Sequence, residues 1–333
     1  MEKVMVNKRP GEVVARFSEF GLRLVAALPL LPILLVVAVA MWVLVPGFAT
    51  MINLENMARV LAPLLVAAIG ATFVMLTGGI DLSVGATFGL ASVVGATVMR
   101  DTGSVGLGLV AGIAVGAAVG AANGVAVARL KLSPFVYTLA ILLTVRATAF
   151  LLSRGYSVGR LPREATALGR SQILGVPSLL WVALVILAIG LVALHKTPFG
   201  RSVYLVGSNE RAATFNAINV RRTKWLVYFI GGTLSGLASM LAVLRLGSGA
   251  PVLGDTILLQ IIAAVVVGGT SVFGGEGGLW RTFTGVVLVV ILEKGLDLMG
   301  VAFYDQAVVI GAVILFGSAF GVYLRRRRNL GLR

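Results

Sequence analysis

The sequence contains no cysteine and a single histidine, His195. Without thiols there is no disulfide, thiolate metal centre or cysteine nucleophile, and one imidazole leaves little for histidine-based metal binding or acid–base chemistry. Neither a metal nor a cofactor is expected. Charge is scarce as well: Asp, Glu, Lys and Arg make up 12% of the 333 residues, where soluble domains carry about 25%. Hydrophobic residues reach 58% and mean hydropathy is +1.01, which argues against a water-soluble fold. The formal net charge of +15 would suggest nucleic acid in a soluble protein. Here the basic residues collect in short segments between long apolar runs, which is the footprint of membrane topology, and no nucleic-acid partner is expected.

Apolar runs of roughly bilayer length fall near 25–45, 59–77, 80–99, 105–128, 134–152, 176–195, 225–246, 257–272, 279–297 and 303–323. They predict an all-α, polytopic membrane protein of about ten segments. A cytoplasmic N-terminal segment 1–24 precedes a transmembrane domain 25–323, and a basic cytoplasmic tail 324–333 follows it. The first run, Val25 to Val45, is long enough to be a span rather than a cleaved signal peptide. With both termini inside, nineteen Lys and Arg residues fall on the cytoplasmic side and seven outside, as the positive-inside rule requires. One segment resists: the outer loop 153–175 holds Arg154, Arg160, Arg163 and Arg170 against Glu164 alone.

Forty-two glycines allow close helix packing or irregular backbone at membrane depth. Two glycine-rich stretches, Thr77 to Gly85 and Gly268 to Gly278, interrupt apolar runs and resemble each other loosely, as in transporters built from two related halves with interrupted or re-entrant helices. Neither ends in the Lys-Ser/Thr of a Walker loop, so the chain is not expected to bind ATP itself. Asp81 lies within the first stretch beside Ser83. Two readings stand for it: a cap on the following helix, or the wall of a solute path. Arg146, inside the fifth run, serves either interhelical hydrogen bonding or a polar path. Asn123, among small residues, suits interhelical hydrogen bonding. Glu293, Lys294 and Asp297 read as an interfacial polar patch, and His195 beside Lys196 as an interfacial residue. Asp81, Ser83, Asn123 and Arg146 are the candidates for a substrate pathway.

The longest basic loop, Lys196 to Lys224, contains a capping signal at Ser208 or Asn209 ahead of Glu210, Arg211, Ala212 and Ala213. A short helix with alanine on one side and charge on the other fits a groove in a soluble partner.

Four ordered motifs then carry a resemblance that runs from about Ile52 to Tyr323: MLTGGIDLSVGA at 75–86, LSPFVYTLAILLTVRATAFLLSRG at 132–155, TPFGRSVYLVGSNERAATFNAINVRRTKWLVY at 197–228 and AAVVVGGTSVFGGEGG at 263–278. The chain resembles the ribose, xylose and galactose branch of ABC importer permeases. That resemblance implies a bacterial inner-membrane subunit moving a monosaccharide, without catalysing any covalent reaction. It also implies a cytoplasmic ABC ATPase, a second permease subunit, identical or homologous, and a periplasmic or lipid-anchored sugar-binding protein. Asn209, Glu210, Arg211, Ala212 and Ala213 match the coupling helix that sits in a cleft of the ATPase. The chain departs from many relatives at Asn216-Ala217 and at Glu276. Two rivals are a branched-chain amino acid permease and an intramembrane lipid-linked transferase, the latter needing clustered acids that the sequence lacks.

Overall fold

The computed structural model describes residues 28, 30–302, 305–309, 311–312 and 315. The expected segments 1–24 and 324–333 and most of the last apolar run, 303–323, lie outside the described residues. The described chain is mostly helical: α1 Leu31–Leu44, α2 Met51–Leu76, α3 Ser83–Thr102, α4 Val105–Ala128, α5 Pro134–Ser153, α6 Arg163–Arg170, α7 Ser178–Lys196, α8 Pro198–Ser208, α9 Glu210–Phe215, α10 Val220–Leu246, α11 Leu253–Val267 and α12 Leu279–Leu298. A two-residue hairpin, β1 Gln172–Ile173 and β2 Val176–Pro177, lies between α6 and α7. By length and composition α2, α3, α4, α5, α7 and α10 can cross a membrane, while α1 and α11 are apolar but shorter. The protein is therefore a multi-pass membrane protein.

Local chemistry sets the helix starts. Ser104, Thr197, Asn209 and Asn219 each precede a helix and accept from a backbone N–H within its first turn, the cap such side chains form readily. Helix α2 begins eight residues before the apolar run that announced it, because Asn53, Glu55 and Asn56 are polar yet helical. Thr50 accepts from the Asn53 N–H, and Asn53 Nδ2 donates to the Phe48 carbonyl at 2.7 Å. The basic loop 153–175 carries an element the hydropathy pattern did not announce. Helix α6 is a short surface helix whose Ala165 and Gly169 are buried, with Gly169 against the Leu244 carbonyl at the end of α10.

Helix α10 is the centre of the bundle and packs against α2, α3 and α4. Its seam with α4 is written in glycine. Gly108, Gly112, Gly116, Gly120 and Gly124 recur every four residues along one buried stripe of α4, and Gly232 and Gly236 face them from α10. Lipid supplies no hydrophobic drive between helices, so close backbone approach and interhelical hydrogen bonds must hold them. Ser235 and Ser239 of α10 donate to the Val84 and Phe88 carbonyls of α3 at 2.8 and 2.6 Å.

A Cβ at Gly120 would lie 2.5 Å from the Tyr228 carbonyl oxygen and 3.0 Å from Gly232 Cα, both rigid backbone atoms. Gly120→Val is therefore expected to force α4 from α10 and to cost about 1–3 kcal/mol, as overpacking does. Gly106 is exposed, its nearest neighbour being the Ser104 hydroxyl 4.0 Å away, so Gly106→Ala should melt no lower than the parent. Thermal melting of both variants in detergent checks this, and equal melting of Gly120→Val and the parent would refute the tight seam.

Successive connections alternate between two ends of the bundle. Segments 77–82, 129–133, 197–219 and 268–278 gather at one end: Gly275 N–H donates to the Leu76 carbonyl at 2.9 Å, and Lys131 to Ser133 share a cleft with Glu210, Thr214 and Lys224. Arg59, Arg170, Arg245 and Asp297 share a second cleft at the other end.

Candidate functional site: a buried polar cluster and a braced surface helix

Three of the four pathway candidates meet. The chain leaves α2 at Leu76 and re-enters a helix only at Ser83, and Asp81 in this interruption turns its carboxylate onto the new helix end. Asp81 Oδ1 accepts from Ser83 N–H at 2.9 Å and from Ser83 Oγ–H at 2.6 Å. Asn123 of α4 donates Nδ2 to Ser83 Oγ at 2.8 Å and lies 3.4 and 3.3 Å from the two Asp81 oxygens. Thr138 of α5 accepts from Leu82 N–H at 3.1 Å. Asn123 is thus an interhelical donor, and Asp81 caps α3 from one residue outside the formal cap position. Ser83, Asn123 and Thr138 are fully buried.

The cluster is not saturated. Asn123 Oδ1 and the Tyr228 hydroxyl are buried without a hydrogen-bond partner. Among the described residues no Lys or Arg pairs with Asp81. A half-buried carboxylate with no cation is costly in a membrane and marks a candidate for polar-solute handling.

Arg146 lies apart from this cluster. Its Nη2 donates to Asp255 Oδ2 of α11 at 2.8 Å, and its guanidinium carbon lies 5.8 Å from the Phe150 ring centre. Both partners of the ion pair are part-exposed, at 47% and 38% of the side chain. Asp255 escaped the sequence reading because it precedes its apolar run. A lone acid near a span, matching a lone intramembrane arginine, was the signal that could have found it.

At the end where the loops gather, Asn209 caps α9 by accepting from Ala212 N–H at 3.0 Å, the second of the two caps considered. Glu210 Oε2 takes Lys224 Nζ at 2.6 Å, tying α9 to the start of α10. Ala213 is buried among Val206, Ile218 and Val220, whereas Arg211 and Ala212 are exposed. Phe215, which sequence reasoning passed over, is 90% exposed at the end of this helix. An aromatic inside a polar loop was the available signal.

The second glycine-rich stretch braces this helix pair. Tyr204 of α8 donates its hydroxyl to the Gly277 carbonyl at 3.0 Å. Gly274 and Gly275 adopt φ of +89° and +73°, a region other residues enter only with strain. A Cβ on Gly275 would strike Ser208. The two glycine-rich stretches touch each other, Gly78 lying under the Phe273 carbonyl, and α8 touches the second of them at Gly275 and the end of α2 at Leu76.

The remaining sequence-marked groups sit near the C-terminal ends of α7 and α12. His195 Nδ1 lies 3.1 Å from the Leu191 carbonyl, Lys294 pairs with Asp297 at 2.5 Å, and Gln260 donates to Glu293 at 3.0 Å. Among the described residues no group of three His, Cys, Asp or Glu could hold a metal ion.

Comparison with known proteins covers nearly the whole of this architecture. Residues 53–317 match the family described as branched-chain amino acid transport system / permease component. The ribose import permease protein RbsC of Bacillus subtilis is 39% identical over 298 residues, 89% of this chain and 91% of the relative. The L-arabinose transport system permease protein AraH of Escherichia coli K12 is 33% identical over 300 residues, 90% and 92% of the two chains. RbsC of the same strain is 36% identical over 286 residues, 85% and 89%. No solved structure matches. With the matched region spanning α2 to α12, and with relatives aligned over about nine-tenths of both chains, this protein belongs to the permease components of the branched-chain amino acid transport system family.

Proposed function

We propose that the chain is the membrane-spanning permease subunit of an ATP-driven ABC importer for a monosaccharide. The observation that carries this is its 39% identity to a ribose import permease over 89% of its length, seconded by the arabinose permease. The chain performs translocation and no covalent chemistry. ATP is hydrolysed on a separate cytoplasmic subunit, and sugar arrives on a periplasmic or lipid-anchored binding protein. The nine described helices of fourteen residues or more, α1 to α5, α7 and α10 to α12, serve as nine of ten membrane segments, and the run 303–323 supplies the tenth.

In this arrangement the end bearing α8 and α9 is cytoplasmic. Asn209 to Ala213 form the helix that docks on the ATPase, with Phe215 as its apolar anchor. The brace from α8 through the 268–278 loop to Leu76 and Gly78 gives docking a route to Asp81, Ser83 and Asn123. Arg146 with Asp255 occupies a bundle face left open, where a second permease subunit or a water-filled path spares the charges from lipid.

The test is uptake into proteoliposomes or cells carrying the permease with its ATPase and binding protein. Labelled ribose or arabinose should accumulate in an ATP-dependent way, and labelled leucine should not. The family description favours a second reading, a branched-chain amino acid permease. Leucine uptake without sugar uptake would replace the first reading with that one.

A further inference from the structure

The cleft at the other end of the bundle, about 380 Å³ in volume, draws its cations from four separate helices. It is walled by the first turns of α2 and the ends of α6, α10 and α12, and four cationic side chains line it: Arg59, Arg170, Arg245 and Lys294. Asp297 is the one acid in its wall, with Glu55 and Glu293 beside it.

Among the described residues the acids pair with only one of the three arginines, Arg59, whose Nη2 reaches Glu55 at 3.5 Å. Glu55 Oε2 takes Gln172 Nε2 at 2.7 Å and is 3.5 Å from Arg59. Glu293 takes Gln260 at 3.0 Å, while Asp297 takes Lys294 and, at 2.8 Å, Gln306. Arg59 spends Nη1 and Nη2 on the Gly169 and Arg170 carbonyls at 3.5 and 3.3 Å. Among the described residues the side chains of Arg170 and Arg245 enter no ion pair. Most telling, Nε of both Arg59 and Arg245 is buried and has no hydrogen-bond partner.

An Nε–H shut away without an acceptor costs free energy, and the planar fork of the partly accessible guanidinium groups matches the oxygens of a phosphate. We propose that this cleft is a binding site for a phosphate-bearing anion, held by Arg245 and Arg170 with Arg59 behind them. The site explains the loop 153–175, whose basic character defies the positive-inside rule. Arg170 serves a ligand there, and topology is set by the other loops. Val60 and Leu298 in the same wall give an apolar edge that suits the glycerol end of a phospholipid headgroup. A free phosphate would use the same donors.

The experiment uses full-length permease, stripped of lipid in neutral detergent and melted against rising inorganic phosphate, with chloride holding ionic strength constant. Phosphate should raise the melting temperature saturably. Arg170→Gln and Arg245→Gln should each weaken the apparent affinity by about tenfold, the loss expected for one charge-assisted contact. Arg170 is exposed, so its variant should fold even if Arg245→Gln does not. Nanodiscs distinguish the sources. If phosphatidylglycerol discs, unlike phosphatidylcholine discs, abolish the phosphate response, the headgroup is the ligand; if the response persists in both, it is the free anion. No response beyond chloride, wild-type affinity in Arg170→Gln, or stabilisation by ribose and not by phosphate would each overturn the proposal. None of these outcomes alters the sugar-uptake test.

Discussion

Phe215→Asp is expected to lower sugar uptake and binding-protein-stimulated ATP hydrolysis by at least about tenfold, with normal membrane abundance and an unchanged melting temperature. Phe215 is 90% exposed, so its side chain contributes almost nothing to the stability of this subunit alone. Surface changes of that kind alter stability by about 0.5 kcal/mol or less. An aromatic anchor in a docked interface is worth about 2 kcal/mol or more, which is roughly thirtyfold in affinity. The contrast between the two figures makes this a sharper probe than Glu210→Arg. Glu210 already holds Lys224 at 2.6 Å, and its reversal would set two cations together and disturb the seat of α9 as well as any docking. Exchanging the pair, Glu210→Lys with Lys224→Glu, keeps the internal contact and tests whether the partner reads the charge. Wild-type uptake and ATPase stimulation in Phe215→Asp would remove α9 from the docking surface.

The second large effect concerns Arg146 and Asp255. Arg146→Asp should depress both abundance and uptake, because two carboxylates would then share a site between α5 and α11. The exchange Arg146→Asp with Asp255→Arg restores an ion pair between α5 and α11. If the pair only fastens the two helices, abundance and uptake both return. As a lining of the substrate path, where the position of each charge matters, the exchange is expected to restore abundance while uptake stays down by about tenfold, a cost of about 1.4 kcal/mol. Quantitative membrane blotting beside transport assays separates the two, and full recovery of uptake would reduce Arg146 to a fastening role.

How these sites became visible differs from residue to residue. The cap at Asn209, and the helix in the 196–224 loop, could be read because a cap is a contact between residues two or three apart. The α2 boundary was misplaced by eight residues because hydropathy marks where lipid begins, whereas the helix continues into polar sequence. Helix α6 was missed for the same reason: it is polar, short and held by α10. Phe215 was invisible as an anchor until its exposure was known.

Length, hydropathy, glycine content and the four ordered motifs determined on their own that this is a helical membrane permease related to sugar importers, since apolar length and short motifs are properties of a one-dimensional chain. Only the tertiary structure decided which polar groups meet. Asp81 and Asn123 are 42 residues apart, Arg146 and Asp255 are 109 apart, and Arg59, Arg170 and Arg245 come from three different helices. Their meeting depends on the register of one helix against another; for Asp81 and Asn123 it is the register of α4 along α10 and α3, set by where glycines let backbones touch. That register is a property of helix pairs, and no period in a single helix records it.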